Sequence, residues 1–191
     1  MATEVTTRPF DSVQVPTPGV FAFDPAHTVV GAVARHLMVS KVRGKFTDVA
    51  GSITIAEDPL ASKVEVTIKA ASIDTGSADR DNHLRSPDFL DVEQYPELTF
   101  RSTRVVKHDG TDFVLAGDLT IHGVTREVEL EVEYNGVETS PWGSQVIAFS
   151  ATTELDREEF GMTWNAALES GGVLVGKKLK IEIEVEAIRQ A

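Results

Sequence analysis

The chain has 191 residues, of which 41% are hydrophobic and 25% charged, and it contains no cysteine. That length builds one domain with its own core and needs no disulfide staples, and the missing thiols exclude structural disulfides and thiolate metal centres. Thirty Asp and Glu against 18 Lys and Arg give a formal charge of -12, a field that repels phosphate backbones and excludes nucleic acid as a natural partner.

Residues 1–18 carry Pro9, Pro16 and Pro18 and no sustained periodicity, and read as an N-terminal arm packed along the wall of the domain that follows. The first ten residues lack a basic stretch followed by an apolar one, and no later run reaches the length of a membrane span. The expectation is a cytoplasmic protein without an integral membrane segment. Strands are predicted at 19–24, 28–39, 43–56, 63–74, 97–107, 112–121, 126–136, 145–156 and 177–188. Most alternate apolar and polar residues with a period of two, as in Val128-Glu129-Leu130-Glu131-Val132-Glu133-Tyr134, so each has one apolar and one solvated face. Turn residues at Glu57-Asp58-Pro59, Asp109-Gly110, His122-Gly123 and Asn135-Gly136 join consecutive strands as antiparallel neighbours. The fold class is therefore mainly β, an up-and-down antiparallel barrel. The alternate Glu residues at 127–133 and 182–186 belong to its outer face, where they also discourage edge-to-edge association.

One stretch breaks the pattern. Ser77 is a helix N-cap, with Arg80, Asp81 and Leu84 at helical spacing behind it, and Pro87 stops the helix. A short turn over 88–92 leads to Tyr95-Pro96 and the next strand. This segment is expected to close one end of the barrel, with Leu84 and Phe89 turned inward and Arg80, Asp81 and Arg85 in a polar network.

Catalytic and metal motifs are missing. The five histidines, His27, His36, His83, His108 and His122, form no ligand-spaced pair, and the acidic pairs Asp79/Asp81 and Glu158/Glu159 read as surface carboxylates. No nucleophile elbow, phosphate loop or dinucleotide fingerprint occurs. An enzyme reading would fall on His36 or His83 as acid or base, without an activated nucleophile to serve. The inner face instead collects Val64, Val66 and Ile68 with Leu98 and Phe100, then Leu115, Leu119, Val128, Leu130, Val132 and Tyr134, then Phe149, Ala151, Leu155, Leu179, Ile181, Ile183 and Val185. An eight-stranded barrel of this kind is either filled by its side chains or holds one small ligand, and periodicity leaves both open.

The motifs add a resemblance. Asp24-Pro25-Ala26-His27-Thr28, Arg35 to Phe46, Arg80-Asp81-Asn82-His83-Leu84-Arg85-Ser86, Asp88-Phe89-Leu90-Asp91, Gly117 to Thr125, Arg157 to Gly161 and Trp164 to Gly176 strongly resemble the YceI-like family of lipocalin-like polyisoprenoid-binding proteins. The resemblance spans roughly 19–188 and implies a YceI-like domain over 19–191, an eight-stranded barrel with a helical lid and a long apolar pocket. It implies non-catalytic binding, for storage or transport, of a polyprenyl phosphate, a polyprenol or an isoprenoid quinone, with no metal or cofactor. A homodimer is one assembly open to such a protein. The residues expected at the ligand are Val30, Ala32, Ala34, His36, Ile68, Leu84, Phe89, Phe100, Leu119, Phe149, Trp164 and Ile183. Trp164 either lines the pocket or plugs the outer surface. Ala32 and Ala34 stand where the family usually has bulky apolar residues; either the pocket is wider there, or another side chain or the N-terminal arm fills the space.

Overall fold

The computed structural model describes residues 6–191. Its strands are β1 (Thr7–Phe10), β2 (Val13–Pro16), β3 (Gly19–Phe23), β4 (Val29–His36), β5 (Ser40–Phe46), β6 (Val49–Ile55), β7 (Lys63–Lys69), β8 (Ile73–Asp74), β9 (Glu97–Asp109), β10 (Asp112–Ile121), β11 (Val124–Thr139), β12 (Gln145–Asp156) and β13 (Val175–Arg189), with one α-helix, α1 (Ala78–Arg85). All strand pairs from β3 onward are antiparallel, and the β12–β13 ladder closes the sheet on itself. Three positions in the wall are each shared by two short strands. Both β3 and β4 pair with β13, β6 and β5 pair with β3 and β4 respectively, and β7 and β8 pair with β6 and β5. With β9 to β13 this gives the eight-stranded barrel that the family resemblance implies.

The wall follows residue parity. On β10 and β11 the register sets Leu115 against Leu130 and Leu119 against Arg126, with the apolar residues inward and Glu127, Glu129, Glu131 and Glu133 exposed. Gly117 interrupts this lining because the Phe100 ring covers it. A Cβ there would stand 2.4 Å from the ring and 2.6 Å from the Arg101 carbonyl oxygen.

Four predicted boundaries are corrected. The strand expected over 28–39 reverses in a turn at 37–39, and the one expected over 63–74 is broken by a 3-10 turn over Ala70–Ser72. The single strand expected over 43–56 is broken at Thr47-Asp48, where β8 adds to β5 and the chain bends; the inward parity switches there, from Val42, Gly44 and Phe46 to Val49, Ile53 and Ile55. Asn135-Gly136 is not a turn. It is a bulge inside β11, where the register shifts between Tyr134 and Gly136 and Gly136 takes a φ of 120°. The actual reversal lies at residues 140–144, where the Ser140 amide donates to the Ser144 carbonyl at 2.8 Å.

The barrel has two differently closed ends. At one, α1 begins at Ser77, whose hydroxyl accepts from the Arg80 amide, and ends at Ser86 before Pro87, as its sequence predicts. A 3-10 turn over Arg157–Phe160 and a loop through residue 174 complete this lid end. The β4–β5 hairpin also projects here, and its turn residues Leu37 and Met38 have φ values of 51° and 61°. At the other end the arm does not follow the wall. Of its residues, 1–5 lie outside those described, while β1 and β2 form a hairpin laid across the barrel mouth. The Arg8 guanidinium donates to the Ala56 and Glu57 carbonyls, Phe10 packs on His108 with ring centroids 5.7 Å apart, and the Gln145 amide donates to the Thr6 carbonyl at 3.3 Å. Among the described residues, no helix is long and apolar enough to cross a membrane.

Candidate ligand-binding cavity

The barrel is hollow. A cavity of about 440 Å³ runs from the lid to the N-terminal hairpin, a volume within the range of small-molecule sites. Its middle is lined by the inward residues of the wall, among them Ile68, Phe100, Leu119, Phe149 and Ile183, as parity predicts. Val30, Ala32, Ala34 and His36 line it together from β4, paired across to Phe46, Gly44, Val42 and Ser40 of β5. The N-terminal arm does not fill the space beside Ala32 and Ala34. Its Phe10, Val13, Val15 and Pro16 reach the cavity from the opposite end.

The lid presents Leu84 and Phe89 to the cavity and fixes them with hydrogen bonds. Asp81, 7% exposed, accepts from the Thr75 hydroxyl at 2.6 Å and the Thr75 amide at 2.9 Å. The hydroxyl bond, more than any neighbouring charge, holds the Asp81 carboxyl below the ordinary aspartate range. Arg80 donates from Nε to the same hydroxyl at 2.7 Å and from Nη2 to the Thr75 carbonyl at 2.9 Å, which points its guanidinium along the cavity margin. Arg85 ties the helix to the Ala71 and Ile73 carbonyls at 2.8 and 3.0 Å. Trp164 stands apart from the other expected site residues. It is not among those lining the cavity and packs behind the lid, 4.6 Å from His83 and 5.4 Å from Phe89 between ring centroids. His83, bound to Asp88 at 2.8 Å, likewise stays behind the lid.

Arg157 holds the lid end together from within. Only 2% exposed, it donates to the carbonyls of Gly176 at 2.9 Å, Met162 at 2.7 Å, Trp164 at 2.9 Å and Val175 at 3.4 Å. Desolvation pulls its pKa below the ordinary arginine value, and four carbonyl oxygens offset the charge. At the hairpin end, the Tyr134 hydroxyl is buried without a hydrogen-bond partner, and burial pushes its pKa up to about 12.

The charges around the cavity are one-sided. Arg35, Arg80, Arg157, His36 and His108 border it, while no Asp or Glu among the described residues does. Sequence parity missed Arg35, which points outward from β4 but reaches the rim at the strand's end, and missed the hairpin residues altogether.

Outside the cavity, one group among the described residues has a metal-like composition. Asp24, His27 and Glu186 bring ligand atoms within 4.8 Å of one another where β3 passes into β4. The His27 Nδ1 to Asp24 Oδ2 distance of 2.8 Å is a hydrogen bond, and Asp24 also accepts from the Ala26 amide at 2.9 Å, so the turn itself accounts for the arrangement.

A family model described as the YceI-like domain matches residues 21–187. The chain belongs to the YceI-like family. A UPF0312 protein of Staphylococcus aureus (strain bovine RF122 / ET3-1) is 42% identical over 169 residues, covering 87% of this chain and 95% of the relative. The crystal structure of a Campylobacter jejuni YCEI protein is 32% identical with a TM-score of 0.71, over 82% of this chain and 90% of that one. Two more distant structures share the fold. Burkholderia cenocepacia BcnA has a TM-score of 0.75 at 20% identity, covering 86% and 98% of the two chains. A polyisoprenoid binding domain from Saccharophagus degradans, described as implicated in plant cell wall breakdown, has 0.68 at 12% identity, covering 91% and 100%. The family match starts after the N-terminal hairpin, so the cap on that end lies outside it.

Proposed function

We propose that this YceI-like barrel binds a long isoprenoid lipid with an anionic head, a polyprenyl phosphate before a polyprenol or quinone, and carries it without turnover. The observation that carries the reading is the cavity's composition. Its middle is apolar, and its border holds three arginines and two histidines and, among the described residues, no carboxylate, in a chain of net charge -12. Buried apolar surface rewards a hydrocarbon tail at about 0.8 kcal/mol per methylene, and the arginine fork suits a phosphate. The head group lies against Arg80 and His36 at the lid, and the tail runs past Phe100 and Phe149 toward Tyr134 and the hairpin.

The polyisoprenoid-binding domain of Saccharophagus degradans, which has the same fold, is consistent with that cargo. Binding without turnover fits the hydroxyls at the cavity: Thr75 is held between Asp81 and Arg80, and Ser62 accepts from the Ala56 amide at 3.1 Å. His36, Leu84 and Phe89 then act as ligand contacts, while Trp164 only supports Phe89.

Mass spectrometry of lipid extracted from the purified protein tests the cargo directly. Titration with a polyprenyl phosphate and the matching alcohol tests the head. Arg80→Ala should weaken the phosphate about tenfold and leave the alcohol unchanged. Equal affinity of the wild-type protein for phosphate and alcohol would remove the anionic head from the reading, and no affinity for either would remove the isoprenoid.

A further inference from the structure

The β4–β5 hairpin ends in Leu37-Met38-Val39, and these side chains are 40%, 52% and 79% exposed. Residues 37–39 form the loop between the paired His36 and Ser40, and the Val39 amide closes a β-turn on the His36 carbonyl at 3.2 Å; positive φ at both central positions of such a turn favours Asn-Gly. Here Leu37 and Met38 occupy those positions with φ values of 51° and 61°. The turn is thus strained to display apolar side chains to water, an arrangement that serves neither the hairpin nor the core. The tip is held in place all the same: the Leu37 amide donates to the Leu174 carbonyl at 2.9 Å.

The charge around the tip is opposite to that of the molecule. No acidic residue occurs from Pro25 to Thr47, a stretch that contains Arg35, Lys41, Arg43 and Lys45. Arg35 faces Lys41 across the ladder, Arg43 faces Val33, and Lys45, at the far end of β5, pairs with Asp74 of β8. All four cations are exposed, and Arg43 also approaches Glu182 at 3.6 Å. An apolar point on a cationic neck, carried by an otherwise acidic body, has a preferred orientation toward one kind of surface.

We propose that this hairpin docks the protein on an anionic lipid bilayer, with Leu37, Met38 and Val39 entering the interface and Arg35 and Lys41, the paired cations next to the tip, meeting the head groups. Each cation near such a surface strengthens binding roughly fivefold, and the body's excess acid turns the rest of the molecule away. The choice of a bilayer over a protein partner rests on the lipid cargo proposed above. His36, one residue before the tip, lines the cavity, so docking brings the lid end to the membrane from which a lipid would be drawn.

The test is cosedimentation with vesicles of phosphatidylcholine alone and of phosphatidylcholine with an equal part of phosphatidylglycerol. Three forms are compared: wild type, the double variant Leu37→Asn/Met38→Gly, and Lys41→Glu. The wild-type protein should prefer the anionic vesicles at least tenfold, and each variant should lose most of that binding. The Asn-Gly variant should melt at the same temperature or higher, because its turn is relieved of strain. Equal binding to both vesicles, no binding, or undiminished binding by the tip variant would overturn docking. So would sedimentation velocity showing a wild-type dimer that the tip variant makes monomeric, since the tip would then be covered by a second copy. Capture of farnesyl phosphate without vesicles should be equal in all three forms. Its loss in the wild-type protein would refute the cargo reading, while loss of vesicle binding alone refutes docking.

Discussion

The two ends of the barrel are closed by different physics. The lid end is a polar construction: Arg157 collects four carbonyls, Arg85 two, and Asp81 fastens Thr75 to the helix. The hairpin end is mostly apolar, with Phe10, Val13 and Val15 lowered into the mouth and Arg8 anchoring them on the β6–β7 turn. Directional bonds fix a lid in one geometry, whereas apolar contacts hold a cap without specifying its angle. The lid end should therefore set head-group recognition and global stability, and the hairpin end should set the rate at which a tail leaves.

The largest effect is expected at Arg157. Its replacement by Met leaves the Gly176, Met162 and Trp164 carbonyl oxygens without this donor, while Val175 keeps its bond from Asn165 Nδ2 at 2.7 Å, and it removes the cation 5.7 Å from the Phe89 ring. Unsatisfied buried groups cost about 1–3 kcal/mol each before relaxation, so a loss of about 4 kcal/mol is expected, roughly 10 °C in melting temperature for a domain of this size. Arg157→Lys should recover little of it, because an ammonium cannot reproduce the planar fork. Thermal unfolding of both variants checks this, and a loss below about 1 kcal/mol would show that the lid end does not depend on its polar centre.

The hairpin end should respond more weakly in stability and more strongly in kinetics. Phe10→Ala with Val13→Ala removes two half-buried side chains, for a loss of about 2 kcal/mol. Tail dissociation, followed by transfer of a fluorescent polyprenyl analogue to excess acceptor, should accelerate several-fold, while discrimination between phosphate and alcohol stays as in the wild type. A change in that discrimination would place head-group recognition at the wrong end.

Much of the cavity between the two ends was legible in the sequence, because strand parity is a rule of period two that needs no knowledge of the tertiary structure. It placed Ala32 and Ala34 beside Val30 and His36 on the inner wall, where they stand. The lid was legible too, through the Ser77 cap and the Pro87 stop. The hairpin end was not: β1 and β2 have four residues each and contain Pro9 and Pro16, too short and interrupted to show alternation. Arg157 was legible only as a turn residue, since its four carbonyl partners lie in a loop and a strand start without periodicity. Trp164 shows the limit of composition, for an aromatic residue near a lid can support it from behind as readily as line the pocket.

Ala32→Phe tests the middle of the cavity, where neither end dominates. Gly44 faces Ala32 across the ladder, so a benzyl group there is expected to project into free volume. Long-chain isoprenoids should bind at least tenfold more weakly, about 1.4 kcal/mol, with short ones unaffected and the fold unchanged or slightly more stable. Unfolding of the empty protein would mean that the space beside Ala32 is already occupied.

The smallest effect is expected outside both closures, at the turn joining β3 to β4. The hydrogen bond that the His27 ring donates to Asp24 is the main cause raising the His27 pKa above its ordinary 6.5, with Glu186 adding to it, and the same bond lowers Asp24 below 3.8. A raised histidine value contributes stability that is full below about 6.5 and is lost as pH rises through the folded value; a lowered aspartate value contributes stability that is full above about 3.8 and is lost as pH falls through its own. The pair therefore contributes fully between those two points and fades on either side. Because His27 is largely exposed, solvent screening keeps the contribution small. The His27→Gln variant, compared with wild type from pH 4 to 9, should lose slightly more melting temperature near pH 5 than near pH 9, and an imidazole NMR titration should place His27 above 6.5. A difference that grows toward pH 9 would have the wrong sign for this hydrogen bond. A large difference at any pH would mean that the turn between β3 and β4 governs the barrel as much as either of its ends.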